Sequence, residues 1–389
     1  MKTWKLLPTL CIKGLIRTVF FLCNLFLPVQ KNKVVFASTR TNDIEGNLLY
    51  IYEDLKYQHP EYKYVLLFQQ KQHSIKGKIN TITQMLLATY HLSTASYFIV
   101  DDYYFPIYVV KPRRKTEIIQ VWHGAGAFKK FGHSTVGKKF GSSEEYLKHV
   151  QVHSNYSKVI VSTEEVIPFF AEAFQMLPEN ILPLGLPRTD FLFDNKKHFV
   201  TKKRLYEKYP QLKGRKIVLF APTYRGSGHI LKEELNLDFE QLKMILGPEY
   251  AVIVKYHPYV HDGLEIKESL KDFIFNIDQD FATEEILVVS DILVTDYSSI
   301  IFDYSLLERP IAFYAPDLEA YIDERDFYYD YEAFVPGPIF KNTIELANWI
   351  KQEQFNLEPI TEFRNYFFDH LDGQASKRVI KAIFEENDS

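Results

Sequence analysis

The chain has 389 residues, 46% of them apolar and 25% charged, with a net charge of -4. That length holds two ordinary domains with real cores, and the acidic balance excludes a nucleic-acid binder that works by bulk charge. The two cysteines, Cys11 and Cys23, both sit near the N-terminus and cannot staple the body, which points to a reducing compartment.

The charge is unevenly spread. No acidic residue precedes Asp43, while Lys2, Lys5, Lys13, Arg17, Lys31, Lys33 and Arg40 do. A second basic region runs from Lys111 to Lys139 with Glu117 as its only acid. Such regions on an otherwise acidic protein suggest an anionic surface or a polyphosphate partner.

Residues 3–28 are rich in Leu, Phe, Ile and Val, but the longest uncharged run, Thr18 to Gln30, is too short to span a membrane. Lys5, Lys13, Arg17 and Asn24 fall on one helical face, and Trp4, Cys11, Leu15, Leu22 and Phe26 on another. That pattern predicts a basic amphipathic helix over 1–30 lying in a membrane interface, with a helix packed on the protein body as the competing reading. No cleavage site of small residues follows Pro28, which argues against a signal peptide.

From Lys33 strands and helices alternate. Strands are expected at 34–37, 64–68, 97–100, 117–122, 159–161 and 181–184, with helices at 47–58 and 79–92 between the earlier ones. A polar helix over 196–209 precedes a second run of strands at 217–220, 251–254, 273–277, 292–294 and 311–314. Helices at 343–354 and 375–384 follow. The pattern is that of an α/β protein: two doubly wound parallel-sheet domains, at 31–200 and 201–389.

Ligands of open α/β sheets bind at the carboxyl ends of strands. Four polar clusters fall there: Trp122-His123-Gly124, Pro222-Thr223-Tyr224-Arg225-Gly226, Lys255-Tyr256-His257-Pro258 and Thr295-Asp296-Tyr297-Ser298-Ser299. The last opens a helix ending before Pro310. The first amides of a helix lack partners, and its dipole favours negative charge, so two hydroxyls there suit a phosphate; either serine would serve equally as an N-cap, with Asp303 solvated. His123, Arg225, Lys255 and His257 are the candidate chemical groups, and together they predict a cleft site between the domains.

Two phosphate motifs fail. Gly132 to Lys139 approaches a P-loop, but Lys139 replaces the magnesium-binding hydroxyl; Gly124-Ala125-Gly126-Ala127 lacks the third glycine of a dinucleotide fingerprint. There is no HExxH, paired CxxC or compact acidic cluster, so neither a metal nor another cofactor is expected.

The segments IIQVWHGAGAFKKFG, LGLPRTDFLF, FAPTYRG, VKYHPY, VTDYSSIIFDYSLLERP and DGQASKR occur in that order over 118–378. Together they resemble the CDP-glycerol glycerophosphotransferase family of wall teichoic acid synthesis. The loop Gly124 to Ala127 looks more like the family's single-unit primases than its polymerases. The resemblance implies a GT-B-like fold: two Rossmann-like domains facing a cleft, the acceptor on the N-terminal and the donor on the C-terminal one. It implies transfer of glycerol phosphate from CDP-glycerol to the ManNAc of undecaprenyl-diphosphate-linked ManNAc-GlcNAc, with release of CMP. Under it, His123 matches the base and His257 the histidine on the donor pyrophosphate. Arg225, Ser298 and Ser299 match donor-phosphate positions, and Lys255 lies within a donor motif. Asp303 and Arg188 fall in family motifs where they bind substrate or brace loops. The implied location is the cytoplasmic face of the cell membrane, with the protein peripheral; self-association stays open.

Overall fold

The computed structural model describes residues 6–70, 74–138, 140–223, 237–255, 266–324 and 326–385. The chain divides into two compact units: Met1–Asp190 with Glu324–Tyr328 and Gln374–Ser389, and Phe191–Asp323 with Tyr329–Gly373.

In the first unit, α1 (Leu7–Phe26) precedes β1 (Gln30–Ser38), α2 (Gly46–Gln58), β2 (Lys63–Phe68), α3 (Ile75–Thr94) and β3 (Ala95–Val100). Then come α4 (Phe105–Val109), β4 (Glu117–Gln120), α5 (Glu144–His149), β5 (Lys158–Ile160), α6 (Ile167–Phe174) and β6 (Ile181–Leu182). All six strands are parallel, in the order β2-β1-β3-β4-β5-β6. A parallel sheet is covered on both faces, so its inner strands read as continuous apolar runs. Val34 to Ala37 and Phe98 to Val100 are accordingly fully buried.

Strand β4 stops at Gln120, two residues before the expected end. Trp122 has φ +47°, a left-handed conformation that no strand continues, and its N–H donates to the Gln120 side chain at 2.8 Å. Helix α3 starts four residues early because Ser74 caps it, accepting from the Gly77 amide at 3.0 Å.

The second unit carries α7 (Asn195–Lys208), β7 (Lys216–Ala221), α8 (Phe239–Leu246), β8 (Tyr250–Val254), β9 (Ile274–Phe275) and α9 (Thr283–Val289). β10 (Ile292–Thr295), α10 (Ile300–Ser305), β11 (Ile311–Tyr314) and β12 (Ile339–Phe340) follow. The order is β12-β11-β10-β7-β8-β9, again all parallel. Val218, Phe220, Val252, Val254 and Ile292 pack on one face against Leu242, Leu246, Leu346 and Ile350.

The helix Ala375–Ile380 belongs to the first unit, although its position in sequence follows the second domain. Val379, Ile380, Ile383 and Phe384 pack with Val34, Phe36, Leu48, Ile51 and Ile119. Both carboxylate oxygens of Asp190 accept from the first amides of this helix, Ala375 and Ser376, at 2.8 Å each. Arg378 donates to the Leu184 carbonyl at 2.9 Å. Gly185 takes φ +84°, and a Cβ there would lie 3.1 Å from that of Ala375, so only glycine fits this junction.

Helix α1 is amphipathic, as the sequence pattern predicts. Its cations turn toward the protein: Lys13 Nζ donates to the His149 carbonyl and Arg17 Nε to the Val109 carbonyl at 2.7 Å. Ile16 and Phe20 are buried, whereas Leu7, Leu15, Phe21, Leu22, Leu25 and Phe26 are exposed. The apolar face therefore points outward and the polar side chains tie the helix to the body. Measured as a helix, Leu7–Phe26 also has the length and mean hydropathy (1.6) of a membrane span. The uncharged run undercounts it because Lys13 and Arg17 interrupt the run without ending the helix.

Candidate active site

Each unit gathers polar groups at the carboxyl edge of its sheet. In the first, Arg40 follows β1, Asp101 and Asp102 follow β3, and His123 follows β4. His123 Nδ1 lies 3.2 Å from the Asp101 carbonyl and 4.0 Å from Asp102 Oδ1. A carbonyl only accepts, so Nδ1 carries the proton and Nε2 keeps its lone pair. The side chain is 33% exposed. Burial of the ring, then the Arg40 guanidinium, lower its pKa to about 4; Arg188 adds to this and Asp102 opposes it. At neutral pH the imidazole is uncharged and can accept a proton, as a weaker base than an ordinary histidine.

Arg40 holds the acidic pair loosely, with Nη1 3.7 Å from Asp101 and Nε 3.8 Å from Asp102. Burial raises the Asp101 pKa to about 6 against the pull of Arg40.

One buried side chain fixes the loop that carries His123. Asn47, at the start of α2, donates through Nδ2 to the carbonyls of Val121 at 3.1 Å and Trp122 at 3.0 Å. Its Oδ1 accepts from the Arg188 amide at 3.0 Å, so one residue ties the His123 loop to the Leu-Pro-Arg turn. Trp122 packs beside the His123 ring at 4.5 Å and stacks on Phe131 at 5.1 Å. Gln120 is fully buried and bridges the Asp102 carbonyl and the Tyr156 hydroxyl at 3.1 and 3.0 Å. Asn47, Arg40 and the Asp101-Asp102 pair are absent from the sequence-based set. Their signal was position alone, since each ends a strand or begins a helix at the ligand edge.

In the second unit the β10–α10 turn is built on Asp296. This buried carboxylate accepts from the amides of Thr223 at 2.8 Å and Tyr297 at 2.5 Å, joining the ends of β7 and β10. The Tyr331 hydroxyl donates to its carbonyl at 3.0 Å. Tyr297 is fully buried, stacks on Tyr321 at 3.7 Å and donates to Asp317 at 2.9 Å. Ser298 Oγ accepts from the Ile300 amide at 3.3 Å, a bond local to the turn. Ser299 is exposed and makes no side-chain cap bond. Asp303 is buried rather than solvated. Lys255, at the end of β8, pairs with Asp278 at 3.2 Å. Arg225 and His257 lie outside the described residues.

The structure thus brings His123 and Arg188 to one site through Asn47, and puts Ser298 and Ser299 on the turn that opens α10, with Asp303 inside that helix. Among the described residues no cluster of three or more His, Cys, Asp or Glu could hold a metal ion.

Two Rossmann-like parallel sheets with ligand-edge polar groups define a GT-B-like fold, and a solved structure shares it. The wall teichoic acid polymerase TagF superposes with a TM-score of 0.80 at 23% identity, over 99% of this chain and 96% of that one. Residues 19–385 match the family described as CDP-Glycerol:Poly(glycerophosphate) glycerophosphotransferase, and the chain belongs to that family. It is 44% identical to the teichoic acid ribitol-phosphate primase of Bacillus spizizenii (strain ATCC 23059 / NRRL B-14472 / W23), over 96% of each chain. It is 29% identical to the teichoic acid glycerol-phosphate primase of Bacillus subtilis (strain 168), over 94% of this chain and 96% of that one.

Proposed function

We propose that this chain is a teichoic acid primase that transfers one polyol phosphate from a CDP-linked donor to an undecaprenyl-diphosphate-linked ManNAc-GlcNAc. The acceptor hydroxyl attacks the phosphorus that bears the polyol. Its proton passes to His123 Nε2, the bond to the nucleotide breaks, and CMP leaves. Arg225, Lys255, His257, Ser298 and Ser299 bind the donor phosphates, while Arg188 and Asp303 brace the two loops. The observation that carries this reading is His123 itself: neutral, oriented through Nδ1 and one-third exposed at the ligand edge of the sheet.

The family resemblance implies CDP-glycerol as donor. Greater identity to the ribitol-phosphate primase, 44% against 29%, supports ribitol phosphate as the second reading. A polymerase of the same family would share the chemistry and differ in the number of units added. The outward apolar face of α1 supports attachment to the cytoplasmic face of the membrane, where a lipid-linked acceptor would present its sugar.

The test is purified chain with CDP-glycerol or CDP-ribitol and a soluble-tailed acceptor, bare or bearing one glycerol phosphate, read by mass spectrometry. One added unit with CMP release is expected, lost ~10²–10⁴-fold in kcat in His123→Ala. A ladder of additions would make the chain a polymerase, and no addition with either donor would overturn the reading.

A further inference from the structure

The carboxyl edge of the first sheet holds a second feature, away from His123. A cavity of about 230 Å³ opens between the ends of β1 and β2 and is roofed by α1 and α3. Ile12, Leu67, Met85, Phe105 and Pro106 give it apolar walls. Ser38, Thr39, Gln69 and Tyr103 line it too, and Ser38 and Gln69 stand at the ends of β1 and β2. Gln69 Nε2 is buried there without a hydrogen-bond partner among the described residues. A buried donor of this kind calls for an acceptor, from a ligand or a water.

Neighbouring residues of the same two loops serve the cavity and the His123 site. Thr39 lines the cavity and the next residue, Arg40, pairs with Asp101 and Asp102. Tyr103 lines it and follows the acidic pair that orients His123. In the sheet order, β4 is two strands from β1 and three from β2, so its end lies ~12 Å from the cavity at ~4.8 Å per strand. Outside the cavity, α1 and α3 expose Leu7, Leu15, Ile75 and Ile79, an apolar surface continuous with its roof helices.

We infer that this cavity holds the first carbons of the acceptor's polyisoprenyl tail, with Gln69 donating to an oxygen of the adjoining diphosphate. The inference rests on the lipid-linked acceptor proposed above and adds where its tail is gripped. A disaccharide diphosphate suits the gap between a hydroxyl at His123 and a tail at β1 and β2. A cavity of ~150 Å³ accommodates benzene, so 230 Å³ admits about nine carbons, or two isoprene units.

The test is a series of acceptors whose isoprenoid tails have one, five, ten, fifteen and twenty carbons, below their micelle concentrations. Wild-type kcat/KM should rise at least ~10-fold up to ten carbons and then level off, mainly through acceptor KM. Gln84→Trp, which fills the cavity from α3, should flatten the series while leaving donor KM and one-carbon turnover unchanged. Thr9→Phe, which fills it from α1, should do the same, and thermal melts check that both variants fold. A wild type indifferent to tail length, or a rise that continues past fifteen carbons equally in both variants, would overturn the inference and leave the primase reading standing. So would variants that lose binding to acceptor-free phosphatidylglycerol vesicles with the tail series intact, because the cavity would then hold a bilayer acyl chain. If no acceptor turns over, the primase reading fails. Native mass spectrometry with farnesyl diphosphate then decides the cavity: retention by wild type but not Gln84→Trp supports it, and equal retention overturns it.

Discussion

Removing the Asn47 side chain should unseat His123 without touching it. Asn47→Ala deletes three hydrogen bonds of 3.0–3.1 Å and leaves the Val121 and Trp122 carbonyls and the Arg188 amide without that partner. Asn47 is 3% exposed, so bulk water replaces little of the loss. At ~1 kcal/mol per bond, and more where a buried group stays unsatisfied, the cost is ~2–4 kcal/mol. For a unit of this size that lowers Tm by ~5–15 °C. Trp122 already sits at φ +47°, a conformation that costs ~1–2 kcal/mol and persists only while its surroundings hold it. Freed from Asn47, the loop can relax and carry His123 away, and a displacement of ~1 Å costs ~10²-fold in rate. Differential scanning fluorimetry and kcat on saturating donor measure both effects. Asn32→Ala removes an exposed bond to the Glu61 carbonyl and should stay within ~0.5 kcal/mol of wild type. A Tm drop under about 2 °C with kcat within about twofold would refute the bracing role.

The acid limb of kcat/KM should fall near pH 4 rather than near 6.5, since burial and Arg40 hold His123 down; Arg40→Gln should move the limb upward, and a wild-type limb at 6.5 would contradict this. Stability should also fall with acid. His91, His123 and His153 are held at about 4, 4 and 3, so their unfolded forms bind protons first as pH drops from 6.5, and Asp101, raised to about 6, works oppositely. Urea titrations at pH 7 and 5 should show a lower unfolding free energy at pH 5; an equal or higher one would sink the balance. Asp296→Ala should cost ~3–4 kcal/mol by freeing the Thr223 and Tyr297 amides, read as a Tm shift with raised donor KM. Phe21→Glu with Leu25→Glu should abolish sedimentation with anionic liposomes at unchanged Tm, because both side chains face outward.

Most of the fold was legible because parallel strands bury both faces. Val34 to Ala37, Ile217 to Phe220 and Ala251 to Val254 announce themselves as unbroken apolar runs. The edge strand β12 did not: it has two residues, Ile339 and Phe340, and no run to detect. His123 stood out because a histidine after a buried strand and before glycines is conspicuous. Asn47 did not, since a lone Asn at a helix start reads as a cap, and its three partners lie 74 to 141 residues away. The face that α1 presents was legible as two stripes but not by sign. Sequence separates cations from apolar groups, while the choice of which stripe meets the protein depended on the carbonyls of Val109 and His149.

The Asp190 cap and the apolar residues that follow it also have a consequence for synthesis. The core of the first sheet includes Val379, Ile380, Ile383 and Phe384. A ribosome making ~5–20 residues per second needs ~10–40 s to travel from Asp190 to that segment. For all that time the first sheet is exposed with one face partly bare, while most of the second unit is finished in a single pass. The half of the protein made first is therefore the half completed last, and its apolar face stays open to aggregation until the C-terminal segment emerges.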